Sequence, residues 1–254
     1  MKGQIISFIM DNMFEEQKTL VTGSNGLLGS EIKKLIPSAI FTDREDFDIT
    51  NKEQMKNFLD SNNVTTVLDL AAFMPAPLSD KDPIGSIQVN IIGTSILTQL
   101  CIERDIKLVF ISTDYVFKGD KGMYTEEDPV SPVNNYALSK LAGECAVRMY
   151  KNSLIIRTTF GPKEFPYGKA FNDQYTSRES VDIIANMIVK LLKKEATGIY
   201  HVGGKRKSVY EYAKSLPNSE KVGSFSKTEL SYVTPDDTSL DTSKYRELFS
   251  SERE

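Results

Sequence analysis

Short apolar runs alternate with amphipathic stretches along most of the chain. The runs are bounded by polar residues, Gly or Pro, as buried strands usually are. They lie at residues 18–22, 39–42, 64–70, 107–111, 154–156 and 198–202. Apolar positions at helical spacing predict helices after residue 26, where Pro37 ends the pattern, and over 83–104, 132–150, 180–193, 208–216 and 241–249. This alternation predicts an α/β fold with a Rossmann-type, doubly wound parallel sheet and helices on both of its faces.

The strand over 18–22 runs directly into a glycine-rich turn, and a predicted helix follows the turn at once. The first glycine of such a turn allows a tight bend, the second lets the backbone approach a pyrophosphate, and the third lets the helix pack on the strand. Because the turn lies between a strand and a helix, it predicts dinucleotide binding rather than an ordinary loop. The residues of the turn are Gly23, Ser24, Asn25, Gly26, Leu27, Leu28 and Gly29.

Residues after the next two strands could hold the rest of a dinucleotide. Asp43 follows the second strand, where a carboxylate usually binds the adenosine ribose, and Arg44 beside it could accept a 2′-phosphate. We therefore expect NADP(H) to be modestly preferred and NAD(H) to remain possible, unless Arg44 is only a solvated loop charge. The pair Asp48-Ile49 could bring a carboxylate to the adenine amino group, and the small pair Ala71-Ala72 after the third strand would let the backbone lie against a cofactor.

A hydroxyl, a phenol and an ammonium group are predicted to meet above the sheet. Thr113 lies just after the strand over 107–111, at the edge where open α/β sheets place their ligands. Tyr136 and Lys140 are four residues apart near the start of a helix and so share one face. We expect the ammonium to lower the pKa of the phenol by roughly 1–3 units, which would suit acid–base catalysis. A Tyr-x-x-x-Lys spacing by itself also occurs on ordinary exposed helix faces.

The composition and charge of the chain argue against several classes of function. The net charge is −4 and no long basic run occurs, so charge alone recruits neither nucleic acid nor a membrane. The apolar run from Ile5 to Met10 is too short for a signal-peptide core or a membrane span. One histidine, His201, argues against a metal site. The two cysteines, Cys101 and Cys145, form no CxxC motif, and we expect both to be buried and reduced in a cytoplasmic protein.

Six segments together carry a resemblance to a known family. They read TGSNGLLG, ISTDYVFKG, YTEEDPVSPVNNYALSKLAGE, FNDQY, GIYHVGG and LDTSKYREL. Over about residues 18–248 the chain resembles the extended short-chain dehydrogenase/reductases, and within them the dTDP-4-dehydrorhamnose reductase group of nucleotide-sugar 4-keto reductases. The resemblance implies NAD(P)H-dependent reduction of a 4-keto-6-deoxy nucleotide sugar in deoxysugar or surface polysaccharide biosynthesis.

The resemblance also implies roles for residues. Thr113, Tyr136 and Lys140 match the catalytic triad of the family, and Asn90 matches an asparagine beside the cofactor site. Gln174 and Tyr175 fall in the block that faces the sugar nucleotide. Three departures affect the substrate side: a short segment between Arg157 and Asn172, Asp69 in place of an asparagine, and Ser-Arg-Glu-Ser at 177–180 in place of Pro-Thr.

The substrate side and the domain division are predicted more coarsely. Arg157, Arg178 and Lys169 could each bind a diphosphate, and we favour Arg157 because it alone lies near a strand end. Asp114 and Tyr115 beside Thr113 could touch the substrate, although we favour packing within its loop for Tyr115. We divide the chain into an N-terminal extension (1–17), an NAD(P)-binding domain (18–157) and a substrate-binding region (158–254), some of whose elements return to the sheet. The predicted helices over 83–104 and 132–150 carry more apolar positions than are needed to cover the sheet, which predicts that they form a homodimer interface.

Two other functions are compatible with these residues. Nucleotide-sugar epimerases and dehydratases share the fold and the triad, but dehydratases usually carry an acidic pair after the threonine, and here Asp114 is followed by Tyr115. A regulatory subunit of methionine adenosyltransferase keeps a similar STDYVF-type segment and acts as a non-catalytic binding module. Turnover of a ketosugar would distinguish a reductase from both.

Overall fold

The structure is a computed structural model that describes residues 14–73, 82–229 and 234–250. Its strands are β1 (Thr19–Thr22), β2 (Ile40–Phe41), β3 (Thr66–Asp69), β4 (Lys107–Thr113), β5 (Ser153–Thr158), β6 (Phe160–Gly161), β7 (Lys169–Phe171), β8 (Tyr175–Thr176), β9 (Glu179–Ser180), β10 (Gly198–Val202), β11 (Lys207–Ser208) and β12 (Gly223–Phe225). Its helices are α1 (Leu27–Leu35), α2 (Lys52–Ser61), α3 (Pro83–Arg104), α4 (Asn135–Val147), α5 (Val181–Lys193), α6 (Val209–Lys214) and α7 (Ser243–Leu248).

Six parallel strands form the central sheet, in the order β10-β5-β4-β3-β1-β2. The predicted α/β fold with a doubly wound parallel sheet is confirmed, and each of the six apolar runs supplies one of its strands. From β1 the chain moves outward to β2, and from β3 onward it moves in the opposite direction. Ligands of such sheets bind at the carboxyl ends of the strands, near the point where the order reverses. That point lies between β1 and β3.

Strand register brings four polar strand ends to one edge of the sheet. Thr22 at the end of β1 is paired with Asp69 at the end of β3, and Thr113 at the end of β4 is paired with Thr158 at the end of β5. The Thr22 hydroxyl donates to Asp69 Oδ1 at 2.7 Å and joins the two strands that flank the reversal. The glycine turn and the loops after β3, β4 and β5 therefore open onto the same edge.

Two apolar layers cover the two faces of the sheet. One layer packs α1 and α5 on the sheet through fully buried residues such as Ile32, Ile184 and Ile188. The other layer packs α2 and α3 through Met55, Leu97 and Leu100. The sheet is thus buried on both faces, as parallel sheets in α/β proteins are.

Helix α3 differs from the regular helix that the sequence predicts. It begins with Asp82 as N-cap, widens to a π-helix over Ile87–Gly93 and returns to α-helical geometry from Thr94. By length and composition it could cross a membrane, but it packs against the sheet and α4, with Leu97, Leu100 and Cys101 fully buried. It therefore has the character of a core helix in this fold.

The second half of the chain both completes the sheet and builds a smaller layer. Helix α5 and strand β10 belong to the central fold, since β10 pairs with β5 in parallel from Gly198 to Val202. The remaining strands form two-stranded pairs, β11 with β8, β12 with β7 and β6 with β9. Of these strands, β6 contributes Phe160 and Gly161 to the cleft above the strand ends.

The structure differs from the sequence-based expectations at one helix and one cysteine, and it describes only part of the predicted N-terminal extension. Helix α2, which begins at Asn51 as N-cap, was not predicted. Cys145 is exposed rather than buried, because it lies on the outward face of α4, whereas Cys101 is buried. Of the predicted N-terminal extension, residues 1–13 lie outside the described residues, and Phe14 already packs against the core around α1.

Candidate active site

A cleft of about 550 Å³ lies along the carboxyl edge of the sheet. Its walls come from the glycine turn, the loops after β3, β4 and β5, the first turns of α4, and residues of the C-terminal half. Predicted site residues that line it are Gly23, Gly26, Leu27, Leu28, Gly29, Ala72, Thr113, Asp114, Tyr115, Tyr136 and Lys140. The structure therefore brings the glycine turn, the hydroxyl, the phenol and the ammonium group to one cavity.

The glycine turn has the shape that a pyrophosphate requires. Gly23 has φ +59°, and a Cβ there would lie 3.0 Å from the backbone nitrogen of Ala71. A Cβ on Gly29 would lie 2.4 Å from the carbonyl oxygen of Ser24, so α1 can approach the turn this closely only with glycine. Gly26 is the N-cap of α1 and offers no side-chain cap, which leaves the first backbone N–H groups of the helix available to an anion. These residues fit a dinucleotide cofactor.

The residues predicted for the adenosine end lie just outside the lining of the cleft. Asp43 Oδ1 accepts from the backbone N–H of Asn25 at 3.2 Å, so its carboxylate lies beside the glycine turn. The Arg44 side chain is 86% exposed, and its Nε bonds Asp48 Oδ2 at 3.1 Å. That bond and two from Thr50 lower the pKa of Asp48 against the opposing effect of burial. Ile49 is buried in the core beneath α3, so packing accounts for its position.

Asn90 supports the site without lining the cleft. Its side chain lies on the π-helical part of α3, accepts from the Phe73 N–H at 2.8 Å and donates to the Phe73 carbonyl at 3.1 Å. Its Nδ2 also donates to Ser139 Oγ at 2.9 Å, and Ser139 immediately precedes Lys140. Asn90 therefore fixes the segment after Ala71-Ala72 to the helix that carries Tyr136 and Lys140.

Thr113 and Asp114 form a buried polar pair at the end of β4. The Thr113 hydroxyl donates to Asp114 Oδ1 at 3.1 Å and accepts from the Tyr115 N–H at 3.3 Å. Asp114 Oδ2 accepts from the Thr238 hydroxyl at 2.7 Å. Burial raises the pKa of Asp114, although the bond from Thr238 and the positive charge of Arg178 oppose the shift. Tyr115 is half-buried and lines the cleft beside this pair.

Tyr136 and Lys140 share the inner face of α4, whose N-cap is Asn134. The expected lowering of the Tyr136 pKa is wrong for this structure: burial, assisted by the negative charge of Asp114, raises it. Lys140 is buried with its Nζ 4.0 Å from the centre of the Phe110 ring. Burial lowers the pKa of Lys140 to about 8, against the opposing charges of Asp69 and Glu144. The phenol is therefore held protonated, as a proton donor must be.

Arg157 does not line the cleft in this structure, which argues against its predicted role as a substrate contact. Its guanidinium is 1% exposed, bonds Glu144 Oε1 at 2.5 Å through Nη2 and bonds Glu144 Oε2 at 3.1 Å through Nε. Glu144 Oε2 also accepts from the Ser112 hydroxyl at 3.0 Å. Because the strand register turns Arg157 toward α4, both ends of the ion pair lie beneath the site.

Gln174 and Tyr175 are also outside the lining of the cleft, and their predicted contact with substrate stays a prediction. Gln174 Nε2 donates to the Pro235 carbonyl at 3.1 Å, and the Tyr175 ring packs under the Arg206 guanidinium at 3.7 Å. Backbone bonds join Tyr175 to Asp236 and Thr238. The block thus fastens the segment that brings Thr238 to Asp114.

Several residues of the cleft were not predicted from the sequence. Thr158 to Pro162, at and after the end of β5, form one wall, Leu70, Ile111 and Ser112 come from neighbouring strand ends, and Tyr167 comes from a later loop. Residues at and after the end of β5 could have been identified from their place at the carboxyl edge. Arg178, which the sequence offered beside Arg157 as a cation for a diphosphate, does line the cleft.

A metal centre finds no support in the described part of the chain, where no group of three or more His, Cys, Asp or Glu residues could hold an ion. His201 is fully buried, and its Nδ1 lies 2.9 Å from the Tyr124 carbonyl oxygen. Burial and the charge of Arg157 lower the pKa of His201 to about 4. The ring is therefore neutral at physiological pH and belongs to the packing behind the site.

The chain matches one protein family and is similar to several known proteins. The profile of the RmlD substrate binding domain family matches residues 17–164. A dTDP-4-keto-6-deoxy-D-glucose reductase from Streptomyces niveus is 31% identical over 205 residues, which are 72% of this chain and 71% of that protein.

Two solved structures share the fold over most of their length. A hypothetical dTDP-4-dehydrorhamnose reductase from Sulfolobus tokodaii has a TM-score of 0.81 at 29% identity, with 92% of this chain and 95% of that chain covered. The dTDP-4-dehydrorhamnose reductase of Bacillus anthracis, solved in complex with NADP, has a TM-score of 0.81 at 26% identity, with 91% and 92% covered.

Proposed function

This chain belongs to the RmlD substrate binding domain family, and on that premise we propose that it is an NAD(P)H-dependent reductase of nucleotide-linked 4-keto-6-deoxysugars. One observation carries the proposal: Thr113, Tyr136 and Lys140 meet in a cleft that continues to a glycine turn shaped for a pyrophosphate. The names of the Streptomyces niveus and Bacillus anthracis relatives support the choice of a deoxysugar ketone.

The chain's own residues would perform binding, orientation and proton transfer. Gly23, Gly26 and the N-terminus of α1 would hold the pyrophosphate of the cofactor, which would supply the hydride for the ketone carbon. The Tyr136 hydroxyl would donate its proton to the ketone oxygen as negative charge develops there. The raised pKa of Tyr136 supports this direction of transfer, since the group stays protonated until an alkoxide accepts the proton.

Thr113 and Lys140 would orient the reacting groups. The single proton of the Thr113 hydroxyl is directed to Asp114, so in this arrangement Thr113 offers the substrate a lone pair. The Lys140 ammonium would bind the nicotinamide ribose and stabilise the phenolate that remains after proton transfer.

The proposed function has a direct test. Purified protein is mixed with NADPH and, separately, with the dTDP-, UDP-, GDP- and CDP-linked forms of a 4-keto-6-deoxyhexose, and the absorbance of the reduced cofactor is followed. Oxidation of NADPH with at least one of them is the expected result. No oxidation with any, in protein shown to bind NADPH, would favour the epimerase or the binding-module function instead. Such substrates and the reduced state of both cysteines suit a cytoplasmic enzyme.

Activity should depend on the charge of Lys140. Because burial lowers its pKa to about 8, the ammonium is present below that pH and is lost as the pH rises through it. We expect kcat for reduction to be roughly constant up to pH 7.5 and about tenfold lower one unit above the pKa. In Lys140→Arg the guanidinium stays protonated throughout, so any remaining activity should lose this decline. A wild-type profile that stays flat beyond pH 9.5 would contradict the assignment.

Cofactor preference should depend modestly on Arg44. Its exposed guanidinium could turn from Asp48 to a 2′-phosphate, while Asp43 beside it would repel the same phosphate. We expect NADPH to bind about two- to fivefold more tightly than NADH, because an exposed ion pair contributes up to about 1 kcal/mol. Titration of Arg44→Ala should bring the two Kd values together, and the exposed Arg148→Ala should not. An unchanged ratio in Arg44→Ala would show that Arg44 only faces solvent.

The outward faces of α3 and α4 support a homodimer. Exposed apolar side chains on these adjacent helices include Ile84 at 70%, Ile102 at 47% and Leu138 at 54% exposure. We expect a dimeric mass by light scattering at micromolar concentration, and a monomeric mass for the Ile84→Lys/Leu138→Glu variant. Ile183→Glu, at an exposed position of α5 on the opposite layer, is the control and should stay dimeric. A monomeric wild type would contradict the dimer.

A further inference from the structure

Arg178 is a cation of the cleft without a carboxylate partner among the described residues. Its side chain is half-buried and lines the cavity, and its Nε reaches Thr159 Oγ1 at a long 3.5 Å. The adjacent carboxylate, Glu179, pairs instead with Lys207 at 2.5 Å. A guanidinium held in a cleft in this way has lost part of its hydration and retains most of its donors for another group.

The position of Arg178 places those donors on the substrate side of the reacting groups. The Nε of Arg178 contacts Thr159, which follows β5. The positive charge of Arg178 also acts on Asp114, which follows β4. The guanidinium carbon also lies 5.9 Å from the centre of the Tyr212 ring, on α6 of the C-terminal half. Arg178 therefore faces the Thr113 end of the cleft from the wall that the C-terminal half contributes.

This position is separate from the anion site of the glycine turn. The turn follows β1, whereas Thr159, the residue that Arg178 contacts, follows β5, three strands away in the sheet. At the usual spacing between parallel strands, three steps correspond to about 14 Å. An anion at the N-terminus of α1 and an anion at Arg178 are consequently two different groups.

We propose that Arg178, assisted by the Thr159 hydroxyl, is the residue that binds the diphosphate of the nucleotide-linked substrate. Arginine matches this ligand, because its planar donors pair with phosphate oxygens in a bidentate manner. The sequence offered this role to three cations and favoured Arg157, but the structure pairs Arg157 with Glu144 beneath the site and brings Arg178 to the cleft. The inference rests on the proposed function for the identity of the ligand, and on the unpaired guanidinium for the identity of the residue.

The test measures binding of dTDP, UDP and thymidine by calorimetry, with NADPH bound beforehand. We expect Arg178→Gln to weaken dTDP and UDP about 10- to 100-fold, since bonds to charged groups are lost, and to leave thymidine unchanged. Arg178→Lys keeps a charge without the bidentate geometry and should fall in between. Arg148→Gln, an exposed arginine at the far end of α4, should bind as the wild type does.

Three results would overturn the inference. The first is unchanged dTDP affinity in Arg178→Gln, and the second is a wild type that binds neither diphosphate. The third is a loss of NADPH affinity with unchanged dTDP affinity, which would assign Arg178 to the cofactor. If Arg178→Gln is poorly folded by circular dichroism, the Arg178→Lys titration decides, because full dTDP affinity without bidentate geometry would exclude the proposed contact.

Steady-state kinetics separate this inference from the proposed function. Arg178→Gln should raise KM for the ketosugar by more than it lowers kcat, because the diphosphate is bound in the ground state and the transition state alike. Arg178-dependent diphosphate binding without turnover of any ketosugar would refute the reductase and leave the binding site intact. Turnover with an unchanged KM in Arg178→Gln would refute the role of Arg178 and leave the reductase function intact.

Discussion

Replacing Tyr136 with phenylalanine is expected to lower kcat for ketone reduction by about 10²–10⁴-fold, the usual contribution of a general acid. The substitution removes only the hydroxyl, and no hydrogen bond between described residues uses that hydroxyl to hold the fold. The Kd for NADPH and the thermal midpoint should therefore stay close to those of the wild type. Single-turnover measurements with saturating NADPH would report the chemical step directly.

A second tyrosine of the cleft provides the matched control for this experiment. Tyr167 lines the cavity from its rim and is 69% exposed, so its hydroxyl is available to water rather than enclosed beside Thr113. Tyr167→Phe should leave kcat within about twofold of the wild type, as expected for an exposed position away from the proton-transfer group. Near-normal kcat in Tyr136→Phe would show that another group donates the proton and that the central assignment is wrong.

The protonation state of Tyr136 follows from the balance of two effects that sequence spacing cannot weigh. The spacing to Lys140 suggests that an ammonium one helical turn away lowers the phenol's pKa. In the structure, burial and the charge of Asp114 act in the opposite direction and prevail. Lys140 is itself buried over the Phe110 ring, so its own charge is also disfavoured. A neutral phenol suits reduction, in which Tyr136 begins as the proton donor.

The fold was predictable where local patterns are strong. Strands β1, β3, β4, β5 and β10 are apolar runs with polar limits, and β1 with the glycine turn and α1 has a signature of its own. Helix α2 escaped prediction because only Met55 and Leu59 are buried along its ten residues. Its short apolar stripe of Met55, Phe58 and Leu59 does have helical spacing, and a second signal is the Asn51 cap, whose side chain accepts from the Gln54 N–H.

The site was predictable only for residues whose role depends on neighbours in sequence. Gly23, Thr113, Tyr136 and Lys140 reach the cleft because strand ends and helix starts place them there. By contrast, the partner of Asp114 is Thr238, 124 residues away, and the sequence could name Arg178 as a candidate cation but could not choose it over Arg157. Arg157 ends a strand just as a ligand-binding residue could, and nothing local reveals that Glu144 on α4 takes its charge.

The buried pair of Arg157 and Glu144 leads to the largest expected effect on stability. Both side chains are essentially inaccessible, and Glu144 accepts bonds from the Arg157 guanidinium and from Ser112. Glu144→Gln removes the negative charge and leaves the guanidinium buried without compensation. We expect a loss of about 3–5 kcal/mol in the free energy of unfolding, the usual result of removing one partner of a buried ion pair. Urea denaturation at one fixed protein concentration measures it.

Two further variants determine whether the loss comes from the uncompensated charge. Asp60→Asn removes the partner of Arg104 in a surface pair with an N–O distance of 2.7 Å, and it should cost no more than about 1 kcal/mol. The double variant Glu144→Leu/Arg157→Met removes both charges and should recover most of the stability lost in Glu144→Gln, because apolar replacements of a buried pair are often neutral.

Glu144 also lies close to the triad along the chain. Lys140 lies one turn before Glu144 on the same helix, and Ser112 precedes Thr113 in β4. Glu144 therefore clamps α4 to β4 through Ser112 and to β5 through Arg157, so both elements that carry the triad meet at its carboxylate, and Glu144→Gln should also lower kcat. A loss in Glu144→Gln as small as that in Asp60→Asn would mean that the charge of Arg157 is balanced by other groups and that the clamp is not what fixes the triad.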